Sequence, residues 1–148
     1  MSGRPILAGA DDGTVYRVVG DNVRVLATGN DTASTYEVFE LRGPENSGPP
    51  PHMHPWNEAY FVIAGEVDVI VGDRTMRATP GSFVSVPEGT VHCYRVLSAE
   101  ARFLVLTSPA GASAFFEDMD RETAGSCEDM AAVLRVANRH AVTVPAPQ

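Results

Sequence analysis

The sequence has few of the features that mark several large protein classes. Two cysteines, Cys93 and Cys127, are too few for a disulfide-rich secreted scaffold. Two free thiols in a reducing compartment are the default interpretation, and a single bridge between them stays open. No apolar run approaches the roughly 18 residues that a membrane-spanning helix needs, and the run before Gly9 is too short for a signal-peptide core.

Basic residues are also scarce. Lys and Arg together number 11 against 19 Asp and Glu, which leaves a net charge of −8. No basic cluster is present that would displace counterions from nucleic acid or bind an anionic membrane. We therefore expect neither nucleic acid nor membrane as a partner, and predict a cytoplasmic protein whose residues 1–148 form one domain.

What the sequence does contain is a series of short strand-like segments. They are rich in Val, Thr, Tyr and Phe and are separated by turn residues such as Gly72, while the proline-rich residues 43–51 form a loop. Many short strands without alternating helices indicate an all-β sandwich or closed barrel. The nine predicted strands are residues 14–19, 23–27, 35–41, 59–64, 66–71, 74–78, 82–86, 92–97 and 101–107.

The C-terminal part of the chain has a different pattern, which predicts a helical segment over about residues 112–140. Residues 113–120 form a candidate short helix, and residues 128–140 form the stronger one, capped by Ser126. The apolar face of the stronger helix is expected to contain Met130, Val133, Leu134 and Ala137. His140, at its end and without a partner motif, is interpreted as solvated.

Three of the four histidines fall in the strand-rich region together with one glutamate. His52 and His54 are two residues apart, so on an extended segment both side chains project to one face, about 6–7 Å apart at Cα. Glu58 joins them only if the chain bends at residues 55–57, and His92 arrives from a distant strand. Three imidazoles and one carboxylate are a ligand set for one divalent transition metal ion, with one or two positions left open.

Side chains near these ligands are candidates for a substrate pocket. Tyr60 and Tyr94 each lie two residues beyond a ligand on the same strand face, although simple core packing explains them equally well. Trp56 lies in the bend and either shields the metal or is an exposed anchor. Cys93 has the opposite parity to His92 and is not expected to be a ligand.

Two segments resemble the paired motifs of the cupin superfamily. Residues 48–65 read GPPPHMHPWNEAYFVIAG and are similar to the first motif, and residues 81–92 read GSFVSVPEGTVH and are similar to the second. The resemblance implies the cupin double-stranded β-helix, a jelly-roll barrel, over about residues 14–107, followed by a C-terminal helix. It also implies that His52, His54, Glu58 and His92 are the metal ligands.

Within that superfamily the chain resembles the small quercetinase-like proteins. This resemblance implies a dioxygenase of a small-molecule substrate, with dioxygen as the second reactant and Glu58 as the catalytic base. A non-redox isomerase, cyclase or lyase, or a non-catalytic binding module, remains the alternative. Fe, Ni, Co, Cu, Mn and Zn all suit the ligands. The resemblance and the apolar outer strand face around Phe61 and Ile63 predict a homodimer.

Overall fold

A computed structural model describes residues 2–146, and within that range nine strands and three helices follow one another. The nine predicted strands are confirmed, with ends that differ by a few residues. The elements are β1 (Val15–Val18), β2 (Asp21–Ala27), α1 (Gly29–Thr32), β3 (Glu37–Pro44), β4 (Asn57–Ala64), β5 (Val67–Val71), β6 (Arg74–Ala78), β7 (Phe83–Val86), β8 (His92–Val96), β9 (Glu100–Ser108), α2 (Ala112–Thr123) and α3 (Met130–Arg139).

The strands form two sheets in which every pair is antiparallel. The larger sheet has the order β1-β2-β3-β9-β4-β7, and the smaller one has the order β6-β5-β8. The predicted all-β fold with C-terminal helices is confirmed. Of the two architectures that the strand pattern allowed, the structure is the sandwich, because no ladder joins the two sheets into a ring within residues 2–146. The prolines of residues 49–51 and Pro55 cannot donate to a ladder, so the chain between β3 and β4 adds only isolated bridges.

Alternating burial along the strands places the core between the sheets. In β9 every second side chain is buried, including Phe103 and Val105, while Leu106 faces outward. In β4 the same alternation buries Glu58 and Tyr60 on the inward face. The strand period therefore carries a carboxylate and a phenol into the apolar interior.

The C-terminal segment contains two helices rather than one dominant helix. The segment predicted as a short helix is α2, which extends over twelve residues. In α3 the N-cap is Asp129, whose side chain accepts a hydrogen bond from the Ala132 amide, and not Ser126. No helix among residues 2–146 combines the length and apolar character that crossing a membrane requires.

The buried face of α3 also differs from the prediction. Val133 and Ala137 are buried as expected, but Met130 and Leu134 are 43% and 37% exposed. Ala132 and Val136 take their places in the contact with the core. The reason is the contact with α2, the main neighbour of α3, on which the small alanines allow close packing.

A buried carboxylate fixes the start of the C-terminal segment, and nothing in the sequence pattern indicated it. Glu37 on β3 is 1% exposed and accepts hydrogen bonds from the amides of Gly29, Gly111 and Ser113, at 3.1, 2.8 and 2.9 Å. The Ser113 hydroxyl donates a further bond at 2.5 Å. Because Gly111 and Ser113 lie at the N-terminus of α2, Glu37 satisfies amides that the helix itself leaves free.

Glu37→Ala is expected to lower the free energy of unfolding by about 3 kcal/mol, because it leaves several buried donors without a charged acceptor. Urea unfolding followed by circular dichroism measures the change. The matched control is Glu45→Ala, an exposed glutamate in the following loop, for which a change within about 0.5 kcal/mol is expected. Equal effects of the two substitutions would contradict the capping role.

Candidate metal centre

The backbone brings His52 and His92 side by side. The His52 amide donates to the His92 carbonyl oxygen at 3.0 Å, and the His92 amide donates to the His52 carbonyl oxygen at 2.9 Å. This antiparallel bridge attaches the segment before β4 to the edge of β8. The two ring centroids are 4.5 Å apart, and the ring of His54 lies 5.4 Å from His52 and 4.8 Å from His92.

Backbone carbonyls set the same tautomer in all three rings. The Nδ1 atoms of His52, His54 and His92 lie 3.0, 2.9 and 2.8 Å from the carbonyl oxygens of Pro50, Trp56 and Thr90, respectively. A carbonyl oxygen accepts only, so each Nδ1 carries the proton and donates. Each Nε2 then presents a lone pair, which is the arrangement that metal-binding histidines use.

The free nitrogens are buried together without a hydrogen-bond partner. Nε2 of His54 and Nε2 of His92 are enclosed and unsatisfied among the described residues, and one ring nitrogen from each of the three histidines lies within 4.8 Å of the others. Two nitrogens on one ion are at most about 4.2 Å apart, so small side-chain shifts complete the cluster. Buried unsatisfied nitrogens are costly, and a divalent metal ion removes that cost. The residues therefore fit a metal.

Glu58 lies beside the histidine cluster. Its Oε2 is 3.0 Å from His54 Nε2, without the alignment of a hydrogen bond, and its Oε1 is 3.8 Å from His92 Nε2. The Tyr60 hydroxyl donates to Glu58. Glu58 thus contacts two of the three histidines. The group whose potential ligand atoms all lie within 4.8 Å of one another contains the three histidines, and Glu58 lies beside it.

The electrostatics of the cluster favour the metal-binding protonation states of Glu58 and His52. Burial by itself raises the pKa of Glu58, but the neighbouring His54 and His92 hold that pKa well below its usual value, so the carboxyl is ionised. Burial, together with the nearby His92, lowers the pKa of His52 to about 4, so its ring is neutral at physiological pH. At His92 burial lowers the pKa of the ring, but the ionised Glu58 outweighs burial and raises that pKa, so a metal ion must displace a proton there. The neutral His52 and the ionised Glu58 are ready to coordinate an ion.

Trp56 packs directly on one of the histidines. The chain bends at residues 55 and 56, as the sequence predicted, and the Trp56 ring stacks on His54 with centroids 4.4 Å apart and planes at 11°. Trp56 is 5% exposed, so it is not an exposed anchor. Its indole N–H has no hydrogen-bond partner among residues 2–146. Trp56 therefore holds His54 in place by stacking and leaves one donor unused.

A second carboxylate lies behind the site, and the sequence analysis missed it. Asp21 is 2% exposed and accepts a hydrogen bond from the Tyr94 hydroxyl. Burial raises the pKa of Asp21, against the opposing effect of its Ser47 and Tyr94 neighbours. Because Asp21 follows Gly20 at the start of β2, it has the pattern of an ordinary turn residue, and its partner lies 73 positions away.

His52, His54 and Glu58 border a cavity of about 80 Å³. Trp56, Tyr60 and Tyr94, the three predicted pocket residues, all line it. Much of the remaining wall comes from the C-terminal segment, whose part in the site the sequence did not indicate. The apolar side chains that it contributes include Phe115, Phe116, Met119, Val133, Ala137 and Val142.

The remaining histidine and the cysteines lie away from the cluster. Cys93 is buried outside it, and both cysteines are free. The interpretation of His140 as solvated is wrong, because its Nε2 lies 2.7 Å from Asp118 Oδ2 and links the end of α3 to α2. The two residues are 22 positions apart, so no local motif indicated the pair.

The family model for the cupin domain, Cupin_2, matches residues 39–107, which include all four predicted metal ligands. Among characterised sequences, quercetin 2,3-dioxygenase of Bacillus subtilis is 26% identical over 104 residues, which is 70% of this chain and 31% of that enzyme. The chain spans about half or less of the length of the curated relatives that it matches.

Solved structures share the fold over most of the chain. An RmlC-like cupin from Shewanella frigidimarina superposes with a TM-score of 0.66 at 16% identity, covering 77% of this chain and 99% of that one. The polyketide cyclase RemF from Streptomyces resistomycificus gives a TM-score of 0.62 at 25% identity, covering 70% of this chain and 79% of that one. Residues 39–107 therefore match the cupin domain, and the fold around them is shared with solved cupin structures.

Proposed function

We propose that the protein is a metal-dependent enzyme that acts on a small molecule, with His52, His54, Glu58 and His92 as the ligands. The observation that carries this proposal is the convergence of buried, unpartnered Nε2 atoms whose rings are held by backbone carbonyls. If these histidines had only a structural role, their Nε2 atoms would be hydrogen-bonded to protein groups. The open side faces a cavity, so a substrate reaches the ion.

The first candidate reaction is the dioxygenation of a substrate that carries an enolisable hydroxyl group. The partial similarity to quercetin 2,3-dioxygenase supports this choice, and the cupin domain hosts several other activities. A redox-active transition metal bound by these residues would supply the electronic coupling between substrate and dioxygen. Zinc would not.

The chain's own residues supply proton transfer and orientation. Glu58 is buried beside the cavity with its carboxylate facing the histidines, so a carboxylate oxygen is placed to accept the proton of the substrate hydroxyl. Tyr60 donates to that carboxylate and orients it. The apolar wall from the C-terminal helices excludes water, which strengthens the electrostatic interactions inside.

A non-redox isomerase, cyclase or lyase is the second candidate, and the similarity of fold to a polyketide cyclase at 25% identity favours it specifically. In this case a divalent ion held by the same residues would supply Lewis-acid chemistry, while Glu58 keeps its role as base. A non-catalytic small-molecule binding role is the third. Fe, Ni, Co, Cu, Mn and Zn all suit the donor set of three imidazoles and a carboxylate.

We also propose a cytoplasmic homodimer. Two free cysteines suit a reducing compartment. Phe61 and Phe83 are paired across β4 and β7 on the outer face of the large sheet, and they are 44% and 67% exposed. Leu106 on β9 extends the same apolar face, which a second copy of the chain would cover.

His92→Ala is expected to reduce the bound metal from about one ion per chain to near zero, because it removes a ligand and leaves a void in the cluster. Elemental analysis of the purified protein measures the content. His140→Ala is the matched control, since it removes the one histidine outside the cluster and should leave the metal content unchanged. Unchanged metal content in His92→Ala would refute the assignment of the site.

Oxygen uptake by the metal-loaded protein with flavonols and smaller enolisable substrates tests the dioxygenase assignment. We expect oxygen uptake to accompany substrate turnover, and we expect that turnover to stop under argon and after replacement of the metal by zinc. Turnover that persists under argon with zinc would instead establish the non-redox alternative. Saturable binding without turnover under any of these conditions would indicate a binding module.

Glu58→Gln is expected to lower kcat per bound metal by about 100-fold or more, because the amide cannot accept the substrate proton. Steady-state kinetics and elemental analysis of the same preparation separate lost chemistry from lost metal. Glu45→Gln provides the matched control in an exposed loop outside the cavity. A variant with normal turnover per bound metal would show that Glu58 is a ligand or neighbour only.

A further inference from the structure

The cavity beside the histidines has a composition that restricts its ligand. We propose that it binds a molecule that is uncharged and mainly apolar beyond the oxygen atoms that contact the metal. This inference rests on the proposed function, since it assigns a substrate class to the same site. Three features of the cavity support it: the lack of a cationic side chain among the described lining residues, the single free hydrogen-bond donor, and the positive charge of a metal-loaded site.

No cationic side chain lines the cavity among residues 2–146. The sequence contains no lysine, and its basic side chains are eleven arginines. Arginines that form ion pairs do so outside the cavity, as Arg17 with Asp120, Arg24 with Glu40 and Arg77 with Asp68. A remote carboxylate, sulfonate or phosphate on the ligand would therefore be buried without a counter-ion, which is costly.

Most hydrogen-bond donors in the cavity wall are already bonded to protein acceptors. The Tyr60 hydroxyl donates to Glu58, and the Tyr94 hydroxyl donates to Asp21. The imidazole Nδ1 protons point to backbone carbonyls. The indole N–H of Trp56 is the remaining side-chain donor of the lining, and a single neutral donor suits a carbonyl or ether oxygen rather than an ion.

The charge of the loaded site also disfavours a cationic ligand. Three neutral imidazoles and one carboxylate leave a bound divalent ion with a net positive charge. Glu58, which would otherwise attract a cation, is engaged by the histidines and by Tyr60. A ligand cation inside the cavity would thus meet a positive centre in a medium of low polarity.

The C-terminal segment supplies much of the apolar wall. Phe115, Met119 and Val133 line the cavity and lie outside residues 39–107, the part that matches the cupin domain model. Val142 and Val144 continue the same apolar wall. The strands and the segment before β4 therefore supply the proposed metal ligands, and the segment after β9 supplies the apolar wall that selects the substrate.

Three catechols with the same metal-binding head and different remote groups test the proposal on the full chain loaded with Co²⁺ under argon. They are 4-tert-butylcatechol, 3,4-dihydroxybenzenesulfonate, whose tetrahedral sulfonate is similar in size, and the cation 3,4-dihydroxybenzylamine. Calorimetry and the visible spectrum of Co²⁺ measure the affinities. We expect the neutral catechol to bind at least about tenfold more tightly than either charged one. Titration of free Co²⁺ corrects for intrinsic differences in chelation.

A variant that adds the missing cation provides the second measurement. Val144 is half-buried and lines the cavity, so an arginine there can reach inward while its backbone keeps its place. Val144→Arg should improve the affinity for the sulfonate severalfold relative to Val144→Met, the uncharged control of similar length. The affinity for 4-tert-butylcatechol should change equally in both variants.

The outcomes separate this proposal from the one on which it rests. If Co²⁺ does not bind, the proposed metal centre is wrong and this inference falls with it. If Co²⁺ binds and a charged catechol binds as tightly as the neutral one, including the case in which none of the three binds, only the inference on ligand class is overturned. Equal sulfonate affinities of Val144→Arg and Val144→Met would also count against it.

Discussion

The site depends on the pair of backbone hydrogen bonds between His52 and His92. These bonds hold a proline-flanked segment against the edge of β8 and bring together two ligands that are 40 residues apart in sequence. His54 follows from the same segment, since alternate residues of an extended chain share a face. The carbonyls of Pro50, Trp56 and Thr90 then fix the ring orientations. Most of the preparation for metal binding is thus done by the main chain.

The C-terminal segment attaches to the other side of the same extended segment. Met53, which lies between the two ligands, exchanges backbone hydrogen bonds of 2.9 and 2.8 Å with Thr143. Val142 and Val144 flank that bridge and line the cavity. The helices that enclose the cavity are therefore tied to the ligand segment, and Glu37 anchors their beginning to β3. Cavity wall and metal ligands form one connected unit.

The parts of this unit that follow from local periodicity were predicted correctly from the sequence. The parity of His52 and His54 and the bend at Pro55 are local properties of a strand and a turn, and both predictions were confirmed in the structure. The place of Tyr60 and Tyr94 beside the cavity followed from the same alternation. The involvement of His92 came from motif spacing, because the bridge that positions it is non-local.

The features that sequence reasoning missed depend on partners far along the chain. Glu37 and Asp21 bond to groups more than 70 positions away, so neither has a local signature. The strand pattern could not decide between a sandwich and a closed barrel, and the structure is a sandwich because isolated bridges near the prolines do not make a ladder. The buried face of α3 differs from the prediction because its packing on α2, and not the helical period alone, decides which side is buried.

Anomalous diffraction from crystals of the protein grown with Co²⁺ tests the central claim most directly. The account predicts one strong peak about 2.1 Å from the Nε2 atoms of His52, His54 and His92, with Glu58 in contact and each Nδ1 still bonded to its carbonyl. A peak elsewhere, or no peak between these three rings at saturating Co²⁺, would contradict it.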